Sequence, residues 1–547
     1  MQALLVCQFA AITLSAQVVT SVFPLTVQRG QTYSAVIRGT KLDTAQTLYF
    51  RDPGIEGRVI KIEDDPASAA SSKAKPQALH AEIKVGSDID PGSYRFRVIT
   101  REGLSDEMTL RIADRPVLEE PSEPLRIPAI VTGRIATSGE LDHYWIDVRA
   151  GQTLSIQASS GSSTLDPAVG LYEPSGSWFD PKRLNRLAFN DEPLNFPGLS
   201  RDARLTYTFP KAGRYCVRVE GFNGQGGPDS VYELRITEGS KESKPDLRPT
   251  LRAAWEERAL TRSISPDWMQ RLANRGAAQT VPAPETYHGV PEGSTDIPVM
   301  KMPGIAEGVI ARPGETHVIR INVEKAQETV IEVETPEATT PLFTPVIRLL
   351  EPGGQELVGN LYTRLNNNNL KMMKAIMAKT TFSLIAPGIY TLQIHELTTD
   401  HAGPDYRYRV MVRSQIPHVG KFIVQQERIS LERGGTRPVT VRMEREEGYT
   451  GMVTVQVENL PAGVSSFTGI ENPDDRPTLP NAGKLERYQP RVQLASIVLT
   501  ADPAAPAPAA PALVRVVARP VREGRLGEPI ASAEIPLLIV EKQVEKK

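Results

Sequence analysis

The stretch 141–160, LDHYWIDVRAGQTLSIQASS, carries the clearest strand pattern in the chain. Tyr144, Ile146 and Val148 fall on one side of an extended chain, and His143, Trp145 and Asp147 on the other. That period of two belongs to a strand with one buried face. Ala150-Gly151-Gln152 interrupts it, and Leu154 and Ile156 resume the alternation. Further out, AGRYCVRV (212–219) sets Tyr215, Val217 and Val219 against Arg214, Cys216 and Arg218, and YELRI (232–236) closes the segment. Each block ends at a Gly, Pro or Asn-Asp turn. The pattern predicts a mostly β chain of tandem antiparallel β-sandwiches, Ig-like and jelly-roll-like, with one short helical linker.

The 547 residues suggest about four domains at roughly 100–150 residues each. Apolar residues make up 40%, enough for several cores, and a net charge of -2 supplies no field to attract nucleic acid. The 45 prolines lie between short runs of Val, Ile, Leu, Thr and Tyr, which suits short strands rather than long helices.

The segment 126–238 is repeated at 300–414. Gly308 answers Gly133, Leu349-Leu350-Glu351-Pro352 answers Leu171-Tyr172-Glu173-Pro174, Gly388 answers Gly213, and Tyr408 answers Tyr232. The offsets are 175, 178, 175 and 176 residues, which indicates a duplicated domain. In order and content these motifs resemble the bacterial pre-peptidase C-terminal domain, a small β-sandwich appended to secreted enzymes and surface proteins. The second copy departs from the pattern: Glu315 and His317 are read as standing where the first has Asp142 and Tyr144, and LNNNNLKMMK (365–374) replaces Asn190-Asp191.

Residues 18–114 form the first domain, with strands predicted at 33–38, 47–50, 81–85 and 94–100, and resemble the immunoglobulin-like IPT/TIG modules. Residues 420–541 resemble Ig-like surface modules, mainly over 434–464. Residues 246–296 are read as a helical and Pro-rich linker. Ser265-Pro266-Asp267 provides a cap and a first-turn proline, Gly276 a stop, and Leu251, Ala254, Trp255 and Ala259 an apolar stripe suited to docking on a neighbouring domain.

Residues 1–17 read as the apolar part of a signal peptide without a basic start, so the mature chain is expected near Gln17 or Val18. No later run of 18 apolar residues suggests a transmembrane anchor. Once the signal is removed, Cys216 is the only cysteine left, so packing rather than a disulfide must hold the domains.

The sequence contains no HExxH, GxSxG, P-loop or CxxC motif, and its seven histidines are scattered. His143 beside Asp142 is read as a surface histidine, and Cys216 as a structural thiol. Calcium is the one cofactor considered. The resemblance and the acidic entry LEEPSEP point to Glu119, Glu120 and Glu123 with Asp142 and Asp191, of which Glu120, Glu123, Asp142 and Asp191 are the candidate ligands. The alternative is a solvated acidic linker with ordinary turn residues. Tyr172, Trp178 and Phe179 form an aromatic cluster that could meet a sugar or lie under a loop. The expectation is a non-catalytic exported protein of the cell envelope, periplasmic, surface-bound or secreted, that recognises protein or polysaccharide through its loops. The alternatives are a hydrolase with carboxylates between the duplicated domains, or a structural spacer.

Overall fold

The computed structural model describes residues 17–65, 75–162, 164–174, 184–191, 202–239, 267–277, 280–334, 345–358, 363–366, 373–376, 379–384, 386–396, 402–404, 406–471 and 491–542. The chain is mostly β, built as tandem antiparallel β-sandwiches with a single short α-helix among the described residues. It divides into two compact units, the first holding the two N-terminal sandwiches and the second most of residues 247–537. Trp178, Phe179, Leu251, Ala254, Trp255, Ala259, Ser265, Pro266 and nearly all of the signal segment lie outside the described residues.

The two copies share one strand order. In the first, a five-stranded sheet runs Val117–Glu119, Ala129–Arg134, Val231–Glu238, Thr153–Ser160, Ala203–Thr208. In the second, Glu285–His288, Gly304–Val309, Arg407–Ser414, Gln327–Glu334 and Lys379–Leu384 take the same path. Each sheet begins with a short strand parallel to the next. The facing sheets again correspond: Leu141–Val148, Gly213–Gly221 and Pro167–Pro174 in one, Thr316–Val323, Gly388–Glu396 and Pro345–Leu350 in the other. Apolar side chains of both sheets meet between them, including Ile146, Ile156, Val217 and Leu234 in the first copy and Ile321, Ile331, Leu392 and Val410 in the second.

The linker differs from its expectation in two ways. Glu285–His288 and Val290–Pro291 pair into the third domain's sheets, although residues up to 296 read as loose chain. Short strands with few apolar residues gain their order from a neighbouring edge, which sequence does not display. The helix Trp268–Asn274 has no side-chain cap at Asp267, and Ala277, not Gly276, takes the left-handed conformation beyond its end. A Cβ on Gly276 would stand 2.0 Å from the Pro417 carbonyl oxygen, so this glycine serves a close approach. Met269, Leu272 and Ala273 are buried against Ile305, Met411 and Ile416, so the helix docks on the third domain's outer face.

One local device recurs in three domains. The hydroxyls of Tyr94, Tyr215 and Tyr390 each donate to a carbonyl four residues upstream, on Asp90 (2.7 Å), Lys211 (3.1 Å) and Ala386 (2.9 Å). Each tyrosine comes two positions after a glycine, and the bond ties the turn to the strand it opens, as tyrosine corners do in other β-sandwiches.

Candidate functional site

A small polar cluster forms around one tyrosine in each duplicated sandwich, Tyr232 in the first copy and Tyr408 in the second. In the first copy Gly133 pairs across the sheet with Tyr232. A Cβ on Gly133 would lie 2.5 Å from the Tyr232 hydroxyl, so the glycine makes room for the phenol. Tyr232 donates to Asp142 Oδ2 at 2.5 Å. Its oxygen lies 2.6 Å from the Tyr144 hydroxyl, which therefore donates to Tyr232. The result is a buried chain, Tyr144 to Tyr232 to Asp142, that leaves each hydroxyl satisfied.

The second copy preserves the site with a different titratable group. Gly308 pairs with Tyr408, and its Cβ would again stand 2.5 Å from the hydroxyl. Here the hydroxyl meets His317 Nδ1 at 2.8 Å, and Glu315 Oε1 lies 3.6 Å from Nε2. Strand register corrects the expected correspondence. Tyr215 pairs with Ile146 and Tyr390 with Ile321, while Asp142 pairs with Val219 and His317 with Ile394. His317 therefore occupies the position of Asp142, Ile319 that of Tyr144, and Glu315 that of Glu140. The last pair act alike: Glu140 accepts from the Thr137 amide and Glu315 from the Arg312 amide, each three residues upstream. Matching acid to acid places the two strands two residues out of step, and only the cross-strand partners reveal it.

Burial drives the electrostatics in both copies. Asp142 is pushed up to about 6, chiefly by desolvation and further by Glu120 and Glu140, with the Tyr232 hydrogen bond opposing. His317 is lowered by burial despite the neighbouring Glu315. The signs of the linkage are therefore opposite. The folded first copy binds its proton near pH 6, above the unfolded value near 4, so it gains stability as pH falls through that window. The folded second copy resists a proton that the unfolded chain takes up near pH 6.5, so it loses stability as pH falls below that value. At pH 7 Asp142→Asn is expected to raise the melting temperature of the transition it affects, with the gain vanishing near pH 4. His317→Gln is expected to remove the acid sensitivity of the other. Melting curves of the full chain between pH 4 and 8 check both, and parallel wild-type and variant pH profiles would refute the assignment.

The candidate calcium ligands are dispersed. Glu120 Oε1 accepts from the Arg134 amide at 2.6 Å and raises Asp142 electrostatically. Glu119 and Glu123 are exposed. Asp191 comes directly after Asn190, which shares a cross-strand row with Asp142 through Val219 and Val169. Three strand spacings of about 4.8 Å separate the two, roughly 14 Å, too far to share one ion. Among the described residues, the group of three ligand-type side chains that does converge is His418, Glu446 and Glu447. Glu447 already accepts from Arg413 at 2.7 and 2.9 Å and from the Ile416 amide at 2.7 Å, so this group reads as an ion-pair network. Melting curves in chelator and in millimolar calcium are expected to overlay, whereas saturating a site a hundredfold above its Kd would add about 2.7 kcal/mol. A rise with calcium that Asp142→Asn abolishes would overturn this.

His143 is exposed, Tyr172 is buried, and Cys216 is fully buried with its thiol pushed up to about 11 by desolvation. Sequence reasoning missed Tyr232 and Tyr408 as site residues. The signal available in the sequence was that each tyrosine recurs with a glycine about a hundred residues upstream, Gly133 with Tyr232 and Gly308 with Tyr408.

No family model matches the chain. It is 29% identical over 108 residues to alkaline serine exoprotease A of Vibrio alginolyticus, a match covering 20% of this chain and 18% of that protein. The chain thus matches less than a fifth of that relative's length. Among solved structures, it is similar to the pre-peptidase C-terminal domain of a Bacillus anthracis collagenase, at 16% identity and a TM-score of 0.16, over 23% of this chain and all of that one. It is also similar to the secreted serine protease VesC of Vibrio cholerae, at 11% identity and a TM-score of 0.14, over 39% and 49% of the two chains.

Proposed function

We propose that this chain is an exported, non-catalytic scaffold of the bacterial cell envelope whose β-sandwiches carry loops that bind protein or polysaccharide. The observation that supports it most is the use made of the reactive groups. His317, Glu447 and Cys216 are buried and Asp142 is partly buried, and Asp142, His317 and Glu447 are paired with groups that also build the sheets. A hydrolytic residue must instead reach substrate. The similarity to a serine exoprotease covers under a fifth of that protein, as expected for a module carried beside a catalytic domain. Export agrees with the apolar N-terminus. No helix among the described residues is long and apolar enough to cross a membrane.

The test is a panel of protein and glycan substrates with the purified full chain, run beside binding to immobilised envelope polysaccharides and envelope proteins. Saturable binding without turnover is expected. Turnover above a heat-treated control would favour a hydrolase, and absence of both would favour a spacer.

A further inference from the structure

The first two sandwiches face each other through hydrogen-bonding groups, not through an open linker. Thr20 Oγ1 and Ser21 Oγ, on the opening strand of the first domain, donate to Asp229 of the second at 2.9 and 2.8 Å. Thr26 Oγ1 donates to Glu233 Oε2 at 2.5 Å, and Arg111 lies 3.7 Å from the same carboxylate. The Leu25 backbone amide donates to Thr132 Oγ1 at 3.0 Å. Ser21, Thr26, Thr132 and Glu233 are all under 5% exposed. Shape agrees with chemistry: a Cβ on Gly161 would stand 2.6 Å from Leu25, so this glycine admits the leucine of the other domain.

Polar groups buried this completely are costly unless every partner stays in place. A hinge that opened would have to exchange the Thr20, Ser21 and Thr26 hydroxyls for water at both carboxylates, break the Leu25–Thr132 bond and expose Leu25, all in one step. We infer that the first two sandwiches form one rigid arm, locked by this buried junction, which presents the loops of both at a fixed spacing.

The Leu25 amide reports on the lock, because its acceptor is a side chain of the other domain. Hydrogen exchange resolved to single amides on the full chain is expected to show Leu25 protected at least about a hundredfold over an unstructured amide. Thr132→Val, which keeps shape and removes the acceptor, should speed exchange at Leu25 at least about tenfold. The core amides of Ile37 and Val217 should be unchanged, which also shows that the variant folds. Gly161→Val, which wedges Leu25 outward from the surface of the second domain, should do the same. Exchange at Leu25 near the unstructured rate in the wild-type chain, or a Leu25 rate untouched by both variants, would overturn the rigid arm.

Discussion

Replacing Tyr215 or Tyr390 by alanine is expected to cost about 3–5 kcal/mol at either site, the range for truncating a buried aromatic. The side chains are 6% and 1% exposed and open equivalent strands. Tyr215 also packs edge-on against Phe209 at 4.8 Å between ring centroids. Phenylalanine at either position keeps the packing and loses only the bond to Lys211 or Ala386, so its cost should be nearer about 1 kcal/mol. A protein of several domains need not unfold in one step, so the effect should be read locally. Native-state hydrogen exchange of 213–221 and of 388–396 reports each copy separately. A loss below about 1 kcal/mol for both alanine variants would mean that the corner does not hold the sandwich together.

Glu447→Ala is the second large effect, about 3–5 kcal/mol, because it leaves a buried cation with half its partners. Arg413 and Glu447 are fully buried side chains. Burial alone would depress the guanidinium, but Glu332 and Glu447 outweigh it and hold Arg413 above its ordinary value. The fork is bidentate to Glu447, with a further bond of 2.7 Å to Glu332, and Glu447 also accepts from the Ile416 amide. The triple variant Arg413→Met with Glu332→Gln and Glu447→Gln should recover much of the loss, since it removes all three charges and the desolvation they suffer while leaving the Ile416 amide an acceptor. Denaturation, with exchange measured at Met411 and Val441, would register both variants. Equal losses in the single and triple variants would show that shape, not charge, matters at this position.

The duplicated sandwiches and the strands that build them could be read directly from the chain. Alternation at 141–148 and 212–219, and the glycine two residues before each corner tyrosine, are local signals, and a strand's inward face has period two wherever it lies. What local pattern could not supply was register. Asp142 and His317 share a position because Val219 and Ile394 are their cross-strand partners, and those partners lie 77 residues away along the chain. Similarity of residue type pointed instead to Glu315, two residues off. The buried ion pair was hidden for a related reason. Arg413 and Glu447 are 34 residues apart, one on a strand and one in the turn after Thr436–Glu446, and charged residues in such places read as solvent-facing until a second domain covers them. Thr26 and Glu233, 207 residues apart, are the extreme case. Local pattern alone established which faces turn inward and which turns repeat. Which polar groups meet was settled only in the folded chain, because burial and pairing are properties of two segments at once and no single segment carries them.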